Sequence, residues 1–549
     1  MRRYIEDSIT LFFSTTVSNW PWVTRCQSAC IDPVIKRQAT SRPDEQSATP
    51  GHSYGEILKS STLIGLSTLI NLAIGLIRNK AIAMWLGPAG FGLMGLYGSI
   101  TDLAQSIAGM GINASGVRQI AEAVGAGDSE RIARAAVVLR RTAVLLGVLG
   151  AIALIAFSRP ISTLTFGNEE HANAIKLLSA TVLFSCLSGG QAALLQGMRR
   201  ISDLVKMSVL GAASGAIISV PTVYFLREDG IVPSLICGGA VSLIVSWWYG
   251  RRVPIQAPSI SFSQIGHEVA ELLKLGFAFM ASGLMVTGAS YAIRVFVLRK
   301  LGFEAAGFYQ AAWTLGGIYV GVILGAIATD FYPRLTAVAK DDSTCNRLVN
   351  EQTHVCILLA VPGVIATYTL APFVITLFYT SKFQQAVEVL RWLCLGMALR
   401  LVSWPMGIII LAKGARNLLF WSELGWALVY VALAWVCVAA FALNGAGLAF
   451  FGAYIFHVVM VYLIVRRLSG FRYSSVNKNN SMLFGSTLSL LVCGFWYLPH
   501  NTAMLVGISA LTATSIYSAR QILNFVSPIL VPRPVLRVLK WFGLVDKTI

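Results

Sequence analysis

Apolar runs of about twenty residues recur along the whole chain, separated by short polar joints; 61–86, 204–226 and 424–443 are clear examples. A helix of about twenty apolar residues matches the roughly 30 Å hydrocarbon core of a bilayer. The pattern therefore predicts an all-α integral membrane protein. Fourteen candidate spans can be drawn, at 61–84, 91–112, 140–158, 174–196, 205–226, 230–249, 272–298, 305–328, 355–378, 386–411, 417–440, 445–465, 482–498 and 503–525. The run 482–498 is short and fits a re-entrant segment as well as a crossing.

The first six spans recur as the next six at an offset of 215 to 217 residues. Leu58-Lys59 matches Leu273-Lys274, Arg78 matches Arg294, and Leu86-Gly87 matches Leu301-Gly302. Gly90-Phe91 matches Gly307-Phe308, Arg118 matches Arg334, and Gly197 through Arg199 matches Gly414 through Arg416. An even number of spans per unit makes the copies parallel, an arrangement in which a binding site lies between the halves. The expected organisation is a flexible cytoplasmic tail (1–56), a lobe of helices 1–6 (57–252) and a lobe of helices 7–12 (272–467). Two further helices (482–525) and a basic amphipathic tail (530–549) follow, with a central cavity between the six-helix lobes.

Composition agrees: 56% of the 549 residues are hydrophobic and 12% charged, against about 25% charged in soluble domains. The net charge of +18 does not point to nucleic acid, because the basic residues sit at the ends of apolar spans. With the N-terminus taken as cytoplasmic, 32 Lys and Arg fall on the inside and 9 on the outside. That asymmetry places both termini in the cytoplasm. Trp247 and Trp248 close span six as an interfacial aromatic belt would.

Enzymatic signatures are lacking. No G-x4-GK[ST] motif is present, and Gly90-x-Gly-x-x-Gly95 joins two membrane spans rather than a strand to a helix. The nine cysteines are scattered as small buried hydrophobes, and Cys26-x3-Cys30 has no second pair to complete a metal site. No cofactor, metal or catalytic residue is expected.

After the first span comes Lys80-Ala-Ile-Ala-Met-Trp-Leu-Gly-Pro-Ala-Gly-Phe-Gly-Leu93, and after the second an amphipathic joint, Gly116-Val-Arg-Gln-Ile-Ala-Glu-Ala123. In these residues, and over roughly 57–467, the chain resembles the O-antigen translocases. These are the Wzx-type lipid-linked oligosaccharide flippases, in the polysaccharide-transport branch of the multidrug/oligosaccharidyl-lipid/polysaccharide exporter superfamily. The resemblance implies two six-helix lobes rocking about a cavity. It also implies a bacterial inner-membrane carrier of polyprenyl-pyrophosphate-linked glycan, with a polysaccharide polymerase and a chain-length regulator as candidate partners. The long N-terminal tail, the two extra spans and the basic C-terminal segment depart from the pattern.

Basic residues at bilayer depth cost about 2.5–3.5 kcal/mol on insertion scales and usually face a cavity or a partner. Arg78 and Lys80 in span one, Arg294 in span seven and Arg400 in span ten are the candidate cradle for a pyrophosphate, since guanidinium forks bind phosphate oxygens bidentately. Structural pairing or snorkelling to the interface is the competing reading. Asp102, Asp330 and Glu423 are the candidate ion-coupling acids. Asp330 stands four residues before Arg334, where a helical ion pair would form; Glu423 stands opposite Lys206 in the repeat register. His457 reads as a packing residue. A drug or metabolite exporter, a peptidoglycan-precursor flippase and a non-transporting scaffold remain the alternatives.

Overall fold

The computed structural model describes residues 50–253 and 262–525. Residues 1–49 of the expected N-terminal tail and the basic segment 530–549 lie outside them. From Lys59 on, the described residues form the principal compact unit. Among the described residues the elements are helical, in the order α1 Pro50–Ala108, α2 Ile112–Gly125, α3 Ser129–Ala156, α4 Ser158–Phe166, α5 Ala172–Gly197, α6 Ile201–Leu226 and α7 Ile231–Gly250. Then come α8 Phe262–Ala337, α9 Asp342–Thr369, α10 Ala371–Phe378, α11 Ala386–Ala412, α12 Arg416–Ser469, α13 Ser475–Tyr497 and α14 His500–Phe525. A bilayer leaves no water for unpaired backbone groups, so helices are the available solution.

Nine stretches among the described residues are long and apolar enough to cross a membrane. Four of them run to 46–54 residues, about twice the length one crossing needs. Spans one and two are the two parts of α1, divided at Gly87 (φ 66°, ψ −171°). Pro88 follows; it cannot donate to the preceding turn and opens the next segment instead. Spans seven and eight share α8, divided at Gly302 (φ 87°, ψ 179°). Spans eleven and twelve share α12, divided at Phe441 and Ala442. α13 is not among the nine stretches.

The repeat is written in the backbone. Gly87 and Gly302, 215 residues apart, both leave the helical region. At the same spacing Arg227 (φ 52°, ψ −127°) pairs with Ala442 (φ 49°, ψ −132°), and Arg199 (φ 56°) with Gly414 (φ 67°). Two further pairs are offset by 213: the N-caps Asp128 and Asp341, and the breaks at Phe157 (φ −91°, ψ 9°) and Leu370 (φ −90°, ψ 14°). These last breaks correct the expected spans. The apolar run 355–378 is not one helix: α9 ends at Thr369 and the eight-residue α10 begins, with Pro372 in its first turn. Span two likewise ends early, at an α1–α2 turn formed by Met110 (φ 43°) and Gly111 (φ 66°).

In the first half, α5 packs on α2, α3, α4 and α7; in the second, α11 packs on α8, α9 and α12. The hairpin α13–α14 docks on α9. The halves meet at two ends. At the kink end, near Gly87 and Gly302, a Cβ on Gly307 would overlap the Pro88 carbonyl, and one on Gly92 would overlap the Phe303 carbonyl. At the opposite end Gly111 lies backbone to backbone against Gly276.

Two predictions follow from this packing. Gly307→Ala drives a methyl group into the Pro88 carbonyl, an overpacking that costs about 1–3 kcal/mol, whereas Gly317 has nothing within 4 Å of a built Cβ. The first substitution lowers the unfolding midpoint of detergent-purified protein, and Gly317→Ala leaves it level or higher. Asp341, fully exposed, accepts from the Thr344 and Ser343 hydroxyls at 2.6 and 2.7 Å and from both their amides. These bonds hold its carboxyl at about 2, below the usual 3.8. A depressed native value means that the cap is fully effective above about pH 4 and is lost as the pH falls toward 2. Asp341→Ala accordingly speeds amide exchange in the first turn of α9 at neutral pH, and the difference from the parent shrinks between pH 4 and 2.

Candidate functional site

A cavity of about 360 Å³ opens between the halves toward the opposite end. Asp102, Gln105 and Ser106 line it from α1, Asn113 from α2, and Phe279 and Gly283 from α8. Asp102 is exposed, and the surface it exposes belongs to this cavity wall. Across the interface it interacts electrostatically with Arg294 of α8. Arg294 is half-buried, and its Nε donates to Gln310 Oε1 at 2.9 Å. Gln310 in turn packs on Gly95 of α1, its side chain 2.8 Å from where a Cβ would stand. Glycine is required there because the two helices approach closely.

Arg294 is held by a neutral amide, with no ion pair within 4.0 Å among the described residues. It also interacts electrostatically with Tyr309 and Tyr430, both fully buried, whose hydroxyls are 3.3 Å apart. From Tyr430 an aromatic path runs through Phe450 (5.6 Å) to Tyr454 (4.8 Å) and His457 (5.5 Å). Arg400 interacts electrostatically with Tyr454, His457 and Glu423, and His457 Nδ1 lies 3.1 Å from Ser403 Oγ. The second half thus carries two arginines joined by tyrosines, each with an acid near it: Asp102 from the other half, and Glu423 from its own.

The remaining expected residues fall elsewhere. Arg78 is half-buried in the first half; its Nη2 reaches Asn79 Oδ1 at 3.4 Å and its buried Nε has no partner. It holds the register position in the first half that matches Arg294 in the second. Lys80 sits at the kink end, bonded to the Leu377 carbonyl at 2.5 Å. The Asp330 side chain lies outside the described residues. His457, read from the sequence as a satisfied packing residue, finds its partner in Ser403, beside Arg400.

Sequence reasoning missed Gln310, Tyr309, Tyr430 and Tyr454. Their signal was available: hydroxyls and an amide inside apolar spans, where each needs a partner. Aromatic side chains, however, also read as packing.

The kink end is closed. Phe91 of α1 meets Tyr379 and Phe383 edge-on at 5.3 and 5.9 Å, and Phe308 of α8 meets Phe383 at 6.0 Å. Phe166 and Phe303 stack at 6.1 Å across the halves. Beside them His171 bonds Tyr97 Oη at 2.8 Å, and burial pushes the His171 imidazole below its ordinary value against the opposing pull of Glu170.

Comparison with known proteins fits this architecture. A family model described as "Polysaccharide biosynthesis protein" matches residues 81–388, more than half of the chain. The lipid III flippase of Escherichia coli (strain K12) is 22% identical over 428 residues, covering 75% of this chain and 99% of that protein. The succinoglycan biosynthesis transport protein ExoT of Rhizobium meliloti (strain 1021) is 26% identical over 368 residues, covering 66% and 70%. Among solved structures, the lipid II flippase MurJ in its inward closed conformation matches with a TM-score of 0.60 at 14% identity, over 84% of this chain and 99% of that one. That likeness speaks for the fold, a transporter fold of two helical halves. With most of its length between Ala81 and Glu388 accounted for by one family, this chain belongs to the polysaccharide biosynthesis proteins.

Proposed function

We propose that this protein is a flippase of the bacterial inner membrane. It carries a polyprenyl-pyrophosphate-linked oligosaccharide, such as an O-antigen or exopolysaccharide repeat unit, from the cytoplasmic to the outer leaflet by alternating access. The observation that carries the reading is Arg294: a guanidinium between the halves, held by the neutral Gln310 and answered electrostatically by Asp102 across the gap. Its terminal nitrogens are left to make charge-assisted, bidentate bonds to a phosphate. A relative named as a lipid III flippase supports a lipid-linked substrate, and the basic bias of the intramembrane charges suits an anion better than a cationic drug.

Moving sugar hydroxyls through hydrocarbon without partners costs several kcal/mol each, and a wet cavity between halves removes most of that penalty. In this reading Arg294 receives the pyrophosphate, Arg400 and Arg78 support it, and Asp102 and Glu423 balance the cations when the site is empty. Asp330 is retained as a candidate ion-coupling acid. Both termini face the cytoplasm, by the distribution of Lys and Arg, so the kink end faces outward. An inside-negative potential favours outward transfer of an anion by about 2.3 kcal/mol per charge per 100 mV. The chemistry is transport rather than catalysis, and a polymerase with its chain-length regulator would receive the product.

Arg294→Gln removes the charge at nearly constant volume. A charge-assisted bond is worth about 1.5–3 kcal/mol, so delivery of lipid-linked glycan to the outer leaflet falls by about tenfold or more, with Arg294→Lys in between. Unchanged delivery at normal protein level would refute the cradle. Asp102→Asn leaves Arg294 without its cross-gap acid. It is expected to tighten retention of added lipid-linked glycan by purified protein while slowing release, read as a longer dwell of labelled substrate.

A further inference from the structure

At the kink end the two halves exchange cations. Lys80, in the first segment of α1, donates from Nζ to the carbonyl of Leu377. Leu377 is the penultimate residue of α10, where the last carbonyls of a helix have no intrahelical donor. Arg299, in the first segment of α8, donates from Nη1 to the carbonyl of Thr163 at 3.3 Å, in the last turn of α4. The short helices α4 and α10 occupy corresponding places in the repeat, each following a break of nearly identical dihedral angles. Each half therefore sends one cation, from the segment before its glycine kink, onto the C-terminal end of the other half's short helix. A positive charge is favoured at that end by the helix dipole.

Glycine makes room for Arg299. Gly167 caps α4 at φ +91°, and a Cβ there would overlap the Arg299 guanidinium. Arg159 and Glu169, 3.8 Å apart, flank the same groove, whose volume is about 700 Å³.

We propose that Lys80 and Arg299 are reciprocal latches that hold the outward gate shut above the Phe91–Phe383 contact. The two bonds cross the interface in opposite senses, so parting the halves at this end breaks both together. Both are exposed, and exposed ionic contacts are individually weak. That suits a gate which must open in every cycle. Lys80, counted from the sequence among substrate ligands, becomes a positioning residue of the gate. The word "outward" rests on the orientation proposed above; the latch itself rests on the two bonds.

The test is access to the cavity. Ser106 lines it, and Ser106→Cys reacts with a membrane-impermeant maleimide added to intact cells only when the kink end opens outward; the parent protein gives the background from native cysteines. Lys80→Ala and Arg299→Ala each raise labelling by about threefold, and the double variant by about tenfold. Lys80→Arg and Arg299→Lys stay near the parent. Labelling of the double variant at parent level, with normal membrane abundance, overturns the latch. If the double variant does not accumulate, the single variants decide in the same way. The same labelling in inside-out vesicles separates the two readings: a rise there alone keeps the latch and reverses the orientation. Raised labelling with unchanged glycan delivery keeps the latch and counts against the transport role.

Discussion

Hydrocarbon offers no partner to an unpaired peptide group, and that constraint shapes everything else in this molecule. The described spans are helical, and the residues that leave the helix are confined to a few joints. Those joints recur: Gly87 with Gly302, Arg227 with Ala442, Phe157 with Leu370. The halves therefore bend at matched heights, and close backbone crossings at Gly92 and Gly307 bring them into register at one end. Backbone meets backbone there without side chains between, so the halves close on each other at the kink end while the cavity opens toward the other.

Inside that frame the scarce polar groups are distributed unevenly. The second half holds Arg294, Arg400 and the tyrosines that link them, and the first contributes Asp102 across the gap. A charge at this depth persists because its neighbours compensate it. Arg294 relies on an amide and a distant acid rather than a close carboxylate, which leaves its charge only partly answered. The first half's own arginine, Arg78, has just a weak contact to Asn79. Near-identical backbones thus carry unlike chemistry.

Much of this was legible in the sequence. Spans, parallel repeat and intramembrane charges follow from apolar run length and constant offset, because the bilayer imposes one length and one polarity rule on each helix. The Gly87-Pro88 joint could be read for the same reason. The short helices α4 and α10 could not: Ala371–Phe378 continues the apolar run before it, and only Pro372 hints at the break. Nor could the sequence pair Arg294 with Asp102, since they lie on different helices whose rotation is set by packing. The depth of Lys80 could be read from its span, but its contact to the Leu377 carbonyl could not.

The hairpin α13–α14 breaks the likeness of the halves in a further way. Gly507 of α14 is pressed onto Thr369, the last residue of α9, and Phe495 of α13 meets Tyr368 at 5.7 Å. Both contacts fall beside the Leu370 break, so the hairpin splints the second half at its bend, whereas nothing comparable braces the equivalent bend at Phe157 among the described residues. One half is thereby stiffened at a bend where its counterpart carries no such added layer among the described residues.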